Sequence, residues 1–454
     1  MNPSTEAPSR HPVKSKPKPP HGIADDTTYE YVIRFWPRAL SYYQQTFLWN
    51  KHGANTLVGP DGMGPEYRSV VAINDDTLYG SAFVDLRDGP VILTIPESNG
   101  ITYSLLVLDV FGNVVSVHIP NQPQGGVYAL VPHEWEGPLP EGIPPVSVPY
   151  PVTIWNLRAD KYKDGKNTID LATAFRAGLR MTTLRDYLIC PKGGATLILP
   201  LSNFAVSTKK DADDLAQHDP RALLDMMQRG VQDHSTYPMS TDDHNLAQQF
   251  DELYLAAKVA DYAGDPKPMK AVTDAVVAAW TKIQANWKGS AGTTGWIHPT
   301  NFAQWGTDYV NRASGNEFIQ FGNNAKAAGY WHAFVDAQKR PLAGTNSYVL
   351  TFRADQIPDA CRFWSLTAYT PDTVELIPGQ TKFVVASYTP GLYTAPDGSI
   401  AIAITRVLPP GFAPANWLPV DENQFNVMLR VYGPKDNTDP NNPPYVPPAI
   451  TPMR

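Results

Sequence analysis

The polar run Asn74-Asp75-Asp76-Thr77-Leu78-Tyr79 sets two adjacent carboxylates and an amide at the approach to a strand. Oxygen ligands in this arrangement suit a hard cation such as Ca²⁺ or Mg²⁺, with Asp85 and Asp109 as further ligands. The same residue types also build turns, because Asn and Asp side chains bond neighbouring backbone N–H groups. Asp109 closes the apolar run YSLLVLD, where a carboxylate needs several donors or a cation to stay charged. Arg158 closes another, TIWNLRAD, and has two readings. It pins two strands by pairing with Asp109, or it anchors a carboxylate or enolate of a substrate.

The ten histidines form no ligand pattern. His332 stands apart because Tyr330, Trp331 and Asp336 surround it near a junction of modules, where clefts form. The sequence contains no G-x-S-x-G elbow, Walker A loop, G-x-G-x-x-G after a strand, H-E-x-x-H or C-x-x-C. Those absences argue against common serine hydrolases, P-loop NTPases, Rossmann dehydrogenases and zincins. The S-x-x-K match at Ser207 and Lys210 lies in a Lys/Asp-rich connector without its companion motifs.

Positioning such groups is the work of the elements around them. Between Asp26 and Trp49, Tyr29, Ile33, Trp36, Leu40, Tyr43 and Phe47 recur at helical spacing, with Pro37 as an expected kink or break. From Val70 to Val148, runs such as PVILTIP, ITYSLLVLDV, NVVSVHI and VYALV predict antiparallel strands. Helices return from Asp219 to Gly289, one of them from Thr241 through Tyr262 with Ser240 or Thr241 as cap, and another opening at Asp265-Pro266. After Gly344, Tyr348 to Phe352 and Phe363 to Tyr369 alternate at period two. Strands, then helices, then strands argue an α+β fold of two β-rich modules joined by a helical section.

The chain of 454 residues can bury a large core, so its two cysteines, Cys190 and Cys361, are expected to be buried thiols rather than a disulfide. With 37 basic against 44 acidic residues and no Lys/Arg run, no nucleic-acid partner is expected. No apolar run reaches membrane-spanning length, no membrane partner is expected, and no secretory h-region or N-glycosylation sequon is visible, which leans to a cytoplasmic location. The Pro-rich ends, Met1 to His21 and from Pro434 onward, read as tails. Exposed sandwich faces and edges are usually covered, which makes a homodimer an expectation. Density of 11 Trp, 22 Tyr and 16 Phe suits an apolar pocket with a few polar handles.

NDDTLYGSAFVDLRDGPVILTIP followed by ITYSLLVLDVFGNVV resembles the DUF1254 domain. GTDYVNRA, FGNNAKAAGYWHAFVDAQKRPLAGTNSYVLTF, FWSLTAY, DGSI, NWLPV and LRVYGP resemble the linker and the DUF1214 domain that commonly follows it. The resemblance implies a DUF1254-like β-rich domain over 23–190, a helical connector over 191–325 and a jelly-roll-like β-sandwich of DUF1214 type over 326–434, between the compositional tails over 1–22 and 435–454. It implies no catalytic residues.

Aromatic density with no classical motif leads to an expected enzyme of specialised metabolism acting on an apolar small-molecule substrate. An isomerase, lyase or cyclase reaction without redox or nucleotide cofactor is expected, since orientation and a few donors suffice for it. Asp76, Tyr79, Tyr103 and Asp109 would form one wall, and Arg158 or Arg312 would stabilise negative charge, with His332 as a further candidate. The alternatives are a metal-assisted hydrolase using a divalent ion on Asp75, Asp76 and Asp109, and a non-catalytic binder of hydrophobic ligands.

Overall fold

The computed structural model describes residues 26–120, 122–442 and 444–453, so the tail expected over 1–22 lies outside the described residues. Asp26–His52 is one continuous helix that contains Pro37. Proline forfeits only one backbone bond there, and burial of Phe35, Trp36, Ala39 and Leu40 around it holds the helix together. Thr208–His218, Pro220–Gln232, Thr241–Tyr262, Lys267–Gly289 and Tyr309–Phe318 pack with it around Trp36, Met227, Phe250 and Ile283. The first helix therefore completes a bundle formed by the connector rather than the first β module. Ser240 Oγ accepts from the Asp243 N–H at 3.1 Å and caps Thr241–Tyr262, as the spacing predicts. Ser207 of the S-x-x-K match caps Thr208–His218 and donates to Glu375 Oε1 at 2.6 Å, a structural use.

The first β module is two sheets. One orders Leu197–Leu199, Val58–Pro60, Thr77–Asp85, Val152–Asp160 and Tyr103–Leu108; the other orders Arg180–Thr183, Val91–Ile95, Gly126–Pro132 and Pro145–Val148. Leu78, Leu93, Leu130, Trp155 and Leu157 fill the space between them. NVVSVHI forms no strand, only a bridge from Val114 to Leu108, because Asp109 turns the chain back at that point.

The second module pairs a sheet of Trp296–Ile297, Ala328–Ala333, Asn426–Pro434, Ala360–Tyr369 and Val384–Ala386 with one of Trp417–Pro419, Ile400–Thr405, Tyr348–Phe352 and Thr451–Pro452. The last of these corrects the expected C-terminal tail: Ile450 is fully buried, Thr451–Pro452 pairs with Tyr348 and Val349, and Trp331 Nε1 donates to the Tyr445 carbonyl at 3.0 Å. Both cysteines are exposed rather than buried, Cys190 just beyond the short helix Leu184–Ile189 and Cys361 at a register shift in its strand.

Period two along Asn426–Pro434 sends Val427, Leu429 and Val431 into the sandwich core and Met428 and Tyr432 into a second core shared with the bundle and the first module. This sheet is thus covered on both faces within one chain, which removes the reason for expecting a second copy there. His332 lies on the same covered face, its Nδ1 accepting from Trp287 Nε1 at 3.2 Å and its Nε2 donating to Asn426 Oδ1 at 2.8 Å. Lys209 is buried against Glu317, which also accepts from Trp36 Nε1 at 2.9 Å and Gln284 Nε2 at 2.6 Å.

Lys209 Nζ also pairs with Asp213 at 2.7 Å, so replacing Glu317 by Ala leaves the ammonium one carboxylate but takes the acceptor from Trp36 Nε1 and Gln284 Nε2, and chemical denaturation is expected to show a loss of about 1–3 kcal/mol. A loss below 1 kcal/mol, the order of an exposed pair, would contradict that burial. Burial depresses the His332 pKa to about 3, with Arg430 and Lys288 adding to the effect and the Asn426 bond opposing it. Between that value and the unfolded value of about 6.5 only the unfolded chain binds the proton, so stability falls as pH drops through this window, by up to about 1.4 kcal/mol per unit. Urea unfolding at several pH values between 7.5 and 4 is expected to show the slope reduced by about one proton in His332→Gln. Equal slopes in the two proteins would remove His332 as its origin.

Candidate functional site

Where the outer faces of the two five-stranded sheets approach each other, a small cavity is bounded by Tyr79, Arg158, Tyr330, Arg430 and Tyr432, with Asn74 at its edge. Strand register places these side chains. Tyr79 lies opposite Arg158 in the first module, and Tyr330 opposite Arg430 in the second. Each sheet therefore offers one guanidinium beside one phenol on the same face. The Arg158 guanidinium is 5.5 Å from the Tyr79 ring centre, and that of Arg430 is 5.5 Å from the Tyr369 ring centre.

Each guanidinium grips a carbonyl from a chain segment that crosses between modules. Arg158 Nη2 donates to the Phe321 carbonyl at 2.8 Å, and Arg430 Nη2 donates to the Ala72 carbonyl. Phe321 and Ala72 both adopt positive φ, at 56° and 53°. Such backbone costs on the order of 1–3 kcal/mol per residue and persists where its surroundings over-determine it. The same segment docks further through Asn74 Nδ2 to the Tyr432 hydroxyl at 2.7 Å and Tyr369 OH to the Ile73 carbonyl at 2.5 Å.

Burial pushes the Arg158 pKa down, but Tyr432, Tyr79 and Tyr330 more than offset it, and the net shift is upward. Arg430 is likewise held above its ordinary value, burial being outweighed by Tyr369, Tyr432, Tyr79 and Asp76. Asp76 is fully buried behind the cavity, accepting from Ser365 Oγ at 2.7 Å and from the Tyr388 hydroxyl, and burial raises its pKa.

Beside this cavity lies an apolar chamber walled by residues that include Phe47, Leu48, Phe83, Ile154 and Phe204. Val70 and Phe321 border both spaces. Ser81 and Asn156, opposite each other in register, supply its polar handle; Ser81 Oγ donates to Asn156 Oδ1 at 2.6 Å and Asn156 Nδ2 has no partner.

Of the residues singled out by spacing, Tyr79 and Arg158 meet in the cavity and Asp76 backs it. Tyr103 does not: it packs on Phe175, ring centres 4.5 Å apart, on the module's inner side. Asp109 is the turn former, accepting from the Phe111 and Asn113 N–H groups at 2.9 Å each and from Asn113 Nδ2 at 2.8 Å. Its donors are thus local, and the expected Arg158–Asp109 pair does not form. Arg312 lies in the bundle, donating to the Arg34 carbonyl at 2.7 Å and covering the Phe111 ring. His332 is core, as described above. Asp75 pairs with Lys161 at 2.5 Å, so Asp75, Asp76 and Asp109 face three different partners. No three His, Cys, Asp or Glu residues among the described residues are grouped to hold a metal ion. Arg430, Tyr330 and Tyr432 escape a reading by spacing. Their signal is an arginine at the centre of the apolar strand NVMLRVY and the two tyrosines that its register places beside it.

No helix among the described residues is long and apolar enough to cross a membrane. A comparison with curated proteins finds no match. Among solved structures, the VPA0106 protein from Vibrio parahaemolyticus is similar with a TM-score of 0.57 and 19% identity over 94% of this chain and 99% of that one. An uncharacterized protein from Burkholderia cenocepacia has a TM-score of 0.46 and 13% identity over 96% and 92%. The first likeness is one of fold. Residues 54–183 match the protein family of unknown function DUF1254, and residues 327–436 match the protein family of unknown function DUF1214. Two domains carrying the two halves of one cavity, in the order the sequence motifs imply, place the chain in the family of proteins that join DUF1254 to DUF1214.

Proposed function

We propose that this protein is an enzyme of specialised metabolism that turns over a largely apolar small molecule by isomerisation, elimination or cyclisation. The observation that carries the reading is an apolar chamber that shares Val70 and Phe321 as wall with a cavity of buried guanidinium and phenol donors. The chamber would orient the carbon skeleton, a contribution of about 7–11 kcal/mol when the reacting conformation is held. Arg158 and Tyr79 would stabilise negative charge developing on a substrate oxygen, in a site where water does not compete.

Mass spectrometry of material extracted from protein purified without detergent is expected to find a small apolar molecule. Returned to fresh protein, it is expected to convert to an isomer or an eliminated product. Tyr79→Phe and Arg158→Gln are each expected to slow that conversion by about 10²–10³, the usual effect of losing one preorganised donor. Leu48→Trp, which places an indole in the chamber, is expected to weaken binding at least tenfold. Recovery of the molecule unchanged would assign a carrier instead, and absence of saturable binding by any neutral apolar probe would sink the reading.

A further inference from the structure

The inner cavity gathers buried donors that lack acceptors. Arg158 is 5% exposed and Arg430 1%, and the Nε and Nη1 groups of the first and Nη1 of the second have no hydrogen-bond partner. The three phenols around them are satisfied only as acceptors. Tyr79 OH accepts from the Asn74 N–H at 3.2 Å, Tyr432 OH from Asn74 Nδ2 at 2.7 Å, and Tyr330 OH from the Asn323 N–H at 2.9 Å and Nδ2 at 3.0 Å. Their hydroxyl hydrogens therefore remain free to donate.

Charge points the same way. At the rim, Arg362 pairs with Asp160 at 3.0 Å and Lys161 pairs with Asp75 at 2.5 Å, so each cation there has its carboxylate. Arg158 and Arg430 form no salt bridge among the described residues; their hydrogen bonds go to the carbonyls of Phe321 and Ala72. Asp76, the nearby carboxylate that acts on Arg430 through space, spends its oxygens on Ser365 and Tyr388. Two cations and one anion leave a single positive charge buried without a partner. An uncompensated buried charge is costly, and a monoanion seated among these donors removes the cost.

We propose that the cavity is a carboxylate-binding site, Arg158 and Arg430 clamping one carboxylate whose oxygens also accept from the tyrosine hydroxyls. A planar monoanion matches both the single excess charge and the fork geometry of guanidinium donors. The assignment rests on the reading that the adjoining chamber holds an apolar skeleton, and it makes the substrate an apolar carboxylic acid whose charged group lies at the Val70–Phe321 boundary.

Two probes of one shape separate the ideas: cyclohexanecarboxylate and its neutral analogue cyclohexylmethanol, titrated calorimetrically into wild-type protein at constant ionic strength, with propionate as a head group alone. The carboxylate is expected to bind at least about tenfold more tightly than the alcohol, as charge-assisted bonds to buried donors imply. Arg158→Gln and Arg430→Gln are expected to abolish that preference while retaining the alcohol. Equal affinity for acid and alcohol in the wild type overturns the carboxylate site and leaves the apolar chamber standing. Binding of propionate without the alcohol supports the site and sinks the chamber. Binding of none of the three overturns both. The wild-type comparison decides the matter even where a variant fails to fold.

Discussion

Two buried guanidiniums, each hydrogen-bonded to a backbone carbonyl contributed from across the module boundary, are the constraint around which this molecule is arranged. Arg158 of the first sheet holds Phe321 on the segment leading into the second module, and Arg430 of the second sheet holds Ala72 on a loop of the first. Neither charge would be tolerated in a dry apolar layer without such partners. The two residues that supply the carbonyls are pulled into left-handed backbone in return. The modules meet through a polar seam in which losing either arginine frees a strained segment, and not through one more apolar core.

That seam also explains why the aromatic residues are distributed as they are. Trp364, Leu366 and Phe352 belong to the closed interior of the second sandwich, whereas Tyr369, Tyr432 and Phe363 belong to the layer facing the first module. Phenols serve there because one end packs and the other bonds. Tyr388 reaches the Asp76 carboxylate while its ring stacks on Tyr162, with centres 4.3 Å apart. Tyrosine hydroxyls thus connect the two sheets at several points with no additional charge.

Periodicity was enough to read the architecture, because helices and strands here obey their own spacing: Thr241–Tyr262 and Ala360–Tyr369 lie where the patterns of three, four and two put them. It failed where tertiary packing overrides local signal. A C-terminal run rich in Pro and Asn looks like a tail, yet Ile450 and Tyr445 anchor it to the second sandwich. The site was half legible. Tyr79 and Arg158 are close enough in one module for strand endings to flag them, while Arg430 and Tyr330 come from strands separated by about a hundred residues in sequence, and only register brings them together. Asp109, Arg312 and His332 were flagged by the same rule, a polar group in apolar surroundings; Asp109 and His332 proved to have partners elsewhere in the core, and Arg312 lies in the bundle away from the cavity. A buried polar residue therefore indicates a site only where its unpartnered donors face a space shared with others, as at Arg158 and Arg430, which sequence cannot show.

Phe321 stands between the two spaces. Its carbonyl is held by Arg158, and the residue borders both the apolar chamber and the donor cavity. Its backbone is in a conformation that few phenylalanines adopt, so it has little freedom to shift without releasing that bond. Gly322, next in the chain, has no room for a side chain, since a Cβ there would lie 2.3 Å from Phe302. The Phe321 carbonyl is therefore held by the guanidinium, and the residue after it is hemmed in by Phe302. The guanidinium of one space and the ring that lines the other are thus set by the same short segment.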